Sequence, residues 1–249
     1  MKRAIFFILC MIATIIVLGQ EEKQRTIQEV VIIASQPKFT GVAENFSKSA
    51  DDGLGELNQY IANNIQRLEH PSFFEIEGTE VIRFVVTKTG DVTDLVAVNS
   101  LNPDIDKEVM RVLKTTSGMW KPGSDNNGKI IPVEKEVSFN FIADGDNPSE
   151  KFTKVAQTYF KLGNQKFFNK NKNKAALKCY DNAVQYRPND KGLLAARGLC
   201  KYQLGDKTGA CKDWYRIRSL GGYDGEPYLN NFCEFDGYAE MMSTIQEKK

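Results

Sequence analysis

Histidine is almost absent from this sequence of 249 residues, and neither sign of charge is in excess. The single histidine, His70, argues against a metal site or a catalytic triad built on histidines. Lysine and arginine number 33 against 32 for aspartate and glutamate, so no basic surplus indicates nucleic acid. The sequence also lacks a CxxC pair and a glycine-rich phosphate loop after a strand. We therefore expect a protein that is not an enzyme, needs no cofactor and binds no nucleic acid.

The N-terminus has the pattern of an export signal. Lys2 and Arg3 form a short basic start, residues 4–18 carry no charge, and Gly19 precedes a polar segment. This arrangement is typical of a secretory signal peptide, and the apolar run is shorter than the ~20 residues of a spanning helix. The sequence thus predicts that residues 1–19 are removed and that the protein reaches the periplasm. In the alternative, residues 4–18 stay as an inner-membrane anchor, and only then is contact with a membrane expected.

Composition divides the rest of the chain into three parts. Residues 20–50 are a polar lead or linker, and residues 51–143 alternate between helix and strand patterns. Residues 150–249 are helical in pattern throughout. The segment between the last two parts is rich in aspartate, glycine, asparagine and proline, which favour turns. The sequence therefore predicts two domains after the lead.

The middle part predicts a small α+β domain. Apolar residues at helical spacing indicate a helix over residues 54–68, and a second helix begins at Pro103. Alternating apolar residues predict strands over 80–86, 92–98 and 131–141. The order helix, strand, strand, helix, strand predicts one antiparallel sheet packed on two helices.

Trp120, Pro122 and Gly123 precede the last predicted strand. Together with the order of elements they resemble the TonB C-terminal domain family, over about residues 36–142. One departure lies at Pro71, which follows Glu69 and His70 where the family usually has a tyrosine-proline pair. We expect Trp120 to anchor the sheet against the helices rather than to contact a ligand. Other residues that carry the resemblance are Tyr60–Ile65, Gly78, Phe84–Val86, Asp106–Val109, Gly128, Lys129, Pro132 and Val133.

The resemblance implies a binding function for the last strand. In the family, an extended segment of an outer-membrane receptor adds as a strand to the edge of the sheet, where unpaired backbone groups accept its hydrogen bonds. The charged residues Glu134 to Glu136 have a second interpretation, since charges on an edge strand also prevent aggregation. The residues expected at the partner-binding edge are Ile131, Val133, Lys135, Val137, Phe139 and Phe141.

Energy transduction is a separate question. Family members that transmit the proton-motive force have a membrane helix with a histidine and a long proline-rich spacer. Residues 4–18 contain no histidine, and the 8 prolines of the chain are not clustered. We therefore expect the binding fold without the motor role, with a membrane-anchored energy transducer of outer-membrane transport as the alternative.

The C-terminal part contains an internal repeat. Ala176 and Tyr180 recur 34 residues later as Ala210 and Trp214. A helix–turn–helix period of 34 residues resembles tetratricopeptide (TPR) repeats. The resemblance implies that these small and large residues pack against each other and that the concave face binds a peptide or protein. A TPR scaffold protein is accordingly the third interpretation of function.

Four cysteines follow the predicted signal peptide, and an even number in an exported protein predicts disulfides. Two cysteines at equal distances along the chain from a turn between antiparallel helices lie opposite each other, which gives the short Cα separation that a disulfide needs. Symmetry about the turns near residues 190 and 222 allows Cys179–Cys200 and Cys211–Cys233, and symmetry about a third turn allows Cys200–Cys211. The TPR resemblance favours the first two pairs, because it turns Cys200 toward the preceding repeat. Four reduced, buried thiols are the alternative.

Overall fold

A computed structural model describes residues 33–41, 54–66, 76–142 and 147–233. These residues all belong to one compact unit. The predicted signal peptide, most of the predicted lead and the Pro71 turn lie outside the described residues. In chain order the elements are β1 (Ile33–Ser35), β2 (Lys38–Phe39), α1 (Leu54–Asn64), β3 (Gly78–Val86), β4 (Val92–Asn99), α2 (Pro103–Lys114), β5 (Trp120–Lys121), β6 (Ser124–Asp125), β7 (Val133–Phe141), α3 (Pro148–Asn164), a π-helical turn (Gln165–Asn169), α4 (Asn173–Tyr186), α5 (Lys191–Gln203), α6 (Lys207–Ser219) and α7 (Glu226–Phe232).

The central sheet has three antiparallel strands in the order β4, β3, β7. The pairing of β3 with β7 is regular from Gly78 opposite Phe141 to Val86 opposite Val133. The pairing of β3 with β4 is interrupted twice, once near Val81 and once near Arg83. The α+β class with an antiparallel sheet, predicted from the sequence, is confirmed.

One face of this sheet packs on α1 and α2. Ile82, Phe84 and Val86 alternate along β3 and are fully buried in the core of this face. Burial of each such side chain contributes roughly 1.5–3 kcal/mol relative to exposure. Asn102 caps α2 by accepting a hydrogen bond from the backbone N–H of Asp104, as its position before Pro103 predicts.

The segment 33–41 pairs with the chain that leads into β7. Strand β1 pairs with β6, and β2 pairs with β5. Phe39 is 3% exposed, and its ring centroid lies 5.3 Å from that of Trp120. Part of the predicted lead therefore contributes a side chain to the core of the sheet.

The helices after β7 pack as antiparallel neighbours through recurring close contacts. Gly163 faces the ring of Tyr180, and Gly198 faces the ring of Trp214. In each case an added Cβ would lie under 3.0 Å from the aromatic side chain. Glycine is required at both positions because the large ring fills the space between two helices.

These helices cover part of the outer face of the sheet. Thr79 Oγ1 donates to the Tyr186 carbonyl oxygen at 2.9 Å, and Gln185 Nε2 donates to the Glu77 carbonyl oxygen at 2.8 Å. Val81 lies on the opposite face from Ile82 and is still fully buried. The sheet is thus enclosed on both faces near the start of β3.

One of the two predicted disulfides is present. Cys211 and Cys233 are bonded with their Cα atoms 5.8 Å apart, which confirms that pair and joins α6 to the end of α7. The prediction of a Cys179–Cys200 disulfide is wrong, because both residues are free and buried.

The two free thiols contact different groups. The Cys200 thiol donates to the Asn173 carbonyl oxygen at 3.3 Å, near the start of α4. The Cys179 sulfur accepts a hydrogen bond from Lys166 Nζ at 3.1 Å, on the side of the π-helical turn. Equal distance along the chain from a turn was therefore not sufficient to predict a disulfide between these two cysteines.

Candidate partner-binding edge of the sheet

Strand β7 is at one edge of the central sheet. It pairs with β3 along one side, and none of the other described strands pairs with its second side. The strand is nine residues long. A backbone edge of this length offers a row of N–H and C=O groups that an extended segment can pair with.

The residues of β7 alternate between the core and the outside. Val137 and Phe139 are buried in the core on the side of α1 and α2, and Phe141 packs at the margin of this core. Val133 is also buried, beside Gly123. Lys135 is on this face too, opposite Phe84, and is 8% exposed. These inward residues hold the strand in one register, since a shift by one residue would expose them.

Ile131, predicted as the first residue of the edge, lies outside β7. Its N–H donates to the Gly123 carbonyl oxygen at 3.1 Å, and the neighbouring Ile130 forms an isolated bridge with Ser124. Pro132 then supplies no backbone donor, so the strand begins at Val133.

Outward-facing residues of β7 form ion pairs. Glu134 lies 3.6 Å from Arg83 in the neighbouring strand; the Glu134 side chain is largely exposed and that of Arg83 is partly exposed. Glu136 accepts a bidentate interaction from Arg216 of α6, which also donates to Asn189 at 2.6 Å. Glu136 thus connects the strand to the helical part. Nothing in the sequence indicates this pair, because the two residues are 80 positions apart.

Trp120, Pro122 and Gly123 support the beginning of β7. The indole of Trp120 is 4% exposed, lies 5.3 Å from the ring of Phe84 and donates from Nε1 to Thr116 Oγ1 at 2.9 Å. An added Cβ at Gly123 would lie 2.6 Å from Val133 Cγ2, and Pro122 is half-buried. Trp120 therefore lies in the core, and Gly123 allows close contact with the first residue of the edge.

A buried carboxyl group that the sequence does not reveal lies behind the same edge. Glu80 is fully buried in β3, opposite Phe139 of β7, and accepts a hydrogen bond from the Leu101 N–H at 2.8 Å. Burial, together with the nearby carboxylate of Asp106, raises the pKa of Glu80 to about 8. Glu80 therefore holds its proton to a higher pH than an exposed carboxyl group does.

The described residues include no group of three or more histidine, cysteine, aspartate or glutamate side chains arranged for a metal ion. None of the helices in the described ranges is both long and apolar enough to cross a bilayer. Residues 4–18, the proposed signal or anchor, lie outside those ranges.

Comparison with known proteins identifies a family that the region around the central sheet resembles. Residues 75–143 match the family model of the Gram-negative bacterial TonB protein C-terminal. Residues 75–143 are similar to the TonB C-terminal domain. The solution structure of the Helicobacter pylori TonB C-terminal domain matches 37% of this chain and 96% of that chain, with 19% identity and a TM-score of 0.30. No curated protein matches the chain. The TonB-like domain thus includes the whole central sheet, with β7 as its last strand.

Proposed function

We propose that this protein is a non-enzymatic interaction protein of the Gram-negative cell envelope, and that its TonB-like domain binds an extended segment of a partner along β7. The main support is β7 itself. It has nine residues, pairs with β3 without interruption along one side, and pairs with none of the other described strands along its second side. Strand addition needs such an edge, because each residue of the partner must meet its hydrogen-bonding groups in register.

The irregularity of β4 favours β7 over the other edge of the sheet. Strand β4 has two register shifts against β3, and Asp94 within it has a φ of 52°. Bulges twist an edge strand and interrupt its row of hydrogen-bonding groups. A long partner strand would therefore pair better with β7.

The partner that we propose is an extended segment of a TonB-dependent outer-membrane receptor or of another envelope protein. The family match supports this choice, and the Cys211–Cys233 disulfide is typical of an exported protein. Cleavage after the N-terminal apolar run would place the chain in the periplasm. An uncleaved run would instead support the alternative of a membrane-anchored energy transducer.

A scaffold role for the helical part is a second candidate. The contacts of Gly163 with Tyr180 and of Gly198 with Trp214 repeat at the spacing found in the sequence, and Ala176 and Ala210 are fully buried. We propose that residues 150–249 are TPR-like, with residues 51–143 as the other domain. Such repeats bind peptides or proteins on their concave face.

Peptide titration of a strand variant tests the proposed function. The probe is a fluorescent synthetic peptide that copies the periplasmic N-terminal segment of a TonB-dependent receptor from the same bacterium. Ser138 is exposed in the middle of β7, so Ser138→Pro distorts the edge while Ser138→Ala preserves the backbone. We expect fluorescence anisotropy to show binding to the wild type and to Ser138→Ala, and at least tenfold weaker binding to Ser138→Pro. Equal binding to all three folded proteins would refute strand addition at β7.

A further inference from the structure

The helical hairpin of α3 and α4 is strongly basic, although the whole chain has a net charge of only +1. Between Glu150 and Asp181 the sequence has eight lysines, no acidic residue and no arginine. The first two lysines pair with Glu77 and Glu150. The other six form no ion pair within the described part of the chain; they are Lys161, Lys166, Lys170, Lys172, Lys174 and Lys178.

A closed turn brings several of these lysines together at the end of the hairpin. The Lys172 N–H donates to the Lys166 carbonyl oxygen at 2.8 Å, across the π-helical turn. Lys170, Lys172 and Lys174 are all exposed around this turn. We call residues 166–174 the basic tip.

Phe168 protrudes from the basic tip and is 70% exposed. Its ring centroid lies 4.9 Å from that of Phe167 in an edge-to-face contact. Phe167 in turn packs against Tyr180 in the core of the helices. Phe168 thus rests on a fixed base while most of its ring faces water. A charged surface that serves only solubility has no use for this ring, whereas exposed aromatic residues among lysines are typical of segments that lie in a membrane interface.

An acidic residue also lies at this end of the helices, but it has another role. The Cys200 thiol donates to the Asn173 carbonyl oxygen at 3.3 Å, so α5 ends beside the start of α4. In the turn that follows α5, Asp206 accepts a hydrogen bond from the Gly209 N–H at 2.8 Å and caps α6. No ion pair among the described residues joins Asp206 to the basic tip. The positive charge of the tip is therefore not compensated by the neighbouring helices.

The basic tip is at the end of α4 that is far from the sheet. The other end of α4 contacts the sheet, where Gln185 donates to the Glu77 carbonyl oxygen and Tyr186 accepts from Thr79. Since α4 runs from Asn173 to Tyr186, about 20 Å of helix separates the tip from this contact. A large flat surface can therefore touch the tip while β7 stays accessible.

We propose that the basic tip docks on the surface of a bilayer that contains anionic phospholipids. The ring of Phe168 enters the boundary between headgroups and acyl chains, and Lys170, Lys172 and Lys174 lie against the phosphates. The lack of arginine favours such a diffuse negative surface over a single phosphate group, because lysine has no planar fork for bidentate binding. The proposal does not depend on strand addition at β7.

Co-sedimentation with sucrose-loaded vesicles tests this proposal. The protein is used without residues 1–19, so that the apolar run cannot bind lipid, and the compact unit that begins at Ile33 is kept whole. We expect binding to vesicles of equal parts phosphatidylglycerol and phosphatidylcholine, and roughly tenfold or weaker binding to phosphatidylcholine alone, since each lysine near an anionic surface strengthens binding about fivefold. Added salt should weaken the binding, because it screens the charges. No binding to the anionic vesicles would overturn the proposal.

Matched charge reversals assign the binding to the tip. Reversal of three tip lysines together should weaken binding to the anionic vesicles roughly tenfold or more; the changes are Lys170→Glu, Lys172→Glu and Lys174→Glu. The control changes the net charge equally at exposed lysines of the TonB-like domain and should bind within a few-fold of the wild type; its changes are Lys88→Glu, Lys121→Glu and Lys129→Glu. An equal loss in both variants would show that only net charge matters and would overturn the site.

Phe168 separates a bilayer from other anionic partners. Phe168→Ala should weaken vesicle binding roughly fivefold, because the ring leaves water on insertion, and Phe168→Trp should keep it. Trp120 and Trp214 are buried, so a blue shift of the Phe168→Trp emission on addition of anionic vesicles reports insertion at position 168. An unshifted emission, or wild-type binding by Phe168→Ala, would contradict insertion. Tighter binding to heparin than to vesicles, unaffected by Phe168→Ala, would identify a general polyanion site and overturn the membrane proposal.

Discussion

At the scale of single residues, the buried acid Glu80 couples the stability of the TonB-like domain to pH. Its folded-state pKa of about 8 lies above the ordinary value of 4.5, so the folded protein holds this proton more tightly than the unfolded chain does. The stabilisation is complete below pH 4.5 and is lost as the pH rises to about 8.

Chemical denaturation between pH 5 and pH 8 measures this effect. We expect the free energy of unfolding of the wild type to fall with a slope of at most about 1.4 kcal/mol per pH unit from this group. Glu80→Gln keeps the shape and removes the charge, so its stability should vary less over this range. Glu134→Gln, at an exposed position of β7, is the control and should follow the wild type. Identical pH profiles for the wild type and Glu80→Gln would show that Glu80 titrates normally.

Gly198 provides a second test at this scale. An added methyl group would collide with the indole of Trp214, which is fully buried. We expect Gly198→Ala to reduce the stability of the protein by about 1–3 kcal/mol, because the core at this position has no free space. Gly192→Ala in the same helix is the control, since its nearest neighbour would be 3.4 Å away. A melting temperature of Gly198→Ala at or above that of Gly192→Ala would contradict this packing.

At the scale of elements, the disulfide and the free thiols make a testable pattern. The Cys211–Cys233 bond fixes the end of α7 to α6. Burial raises the pKa of the Cys200 thiol to about 11, and Cys179 is 6% exposed. Both thiols should therefore react slowly with iodoacetamide in the folded protein and quickly in denaturant.

Peptide mass spectrometry without reduction measures this pattern. We expect a Cys211–Cys233 link and two alkylated cysteines after denaturation. Cys233→Ser should destabilise the protein by about 2–4 kcal/mol, because the cross-link no longer restricts the unfolded chain. Fast alkylation of Cys200 without denaturant, or a Cys179–Cys200 link, would be incompatible with the structure.

The elements themselves are largely predictable from the sequence, because their determinants are local. Alternation predicts the inward face of β3, and Asn102 with Pro103 predicts the start of α2. The start of β7 is two residues later than predicted, because Ile131 pairs with Gly123 through a contact that alternation cannot reveal. Segment 33–41 is a similar case, since its strands form only in contact with residues 120–125.

At the scale of the whole molecule, the features that the sequence does not predict are contacts between distant segments. Arg216 and Glu136 lie 80 residues apart, and Thr79 and Tyr186 lie 107 apart. No local pattern marks such pairs, although each joins the sheet to the helices. The family resemblance therefore predicts β7 as an edge strand, whereas no local pattern predicts its connection to α6 through Glu136 and Arg216.

Amide hydrogen exchange of the full chain tests the central claim most directly. The protein is measured alone and with the receptor-segment peptide at saturation. Because a partner strand pairs with the groups that face outward, alternate amides of β7 should exchange at least tenfold more slowly in the complex. The amides of β4 should be unchanged, which makes β4 an internal control. Unchanged exchange along β7 with a bound peptide would contradict binding by strand addition at this edge.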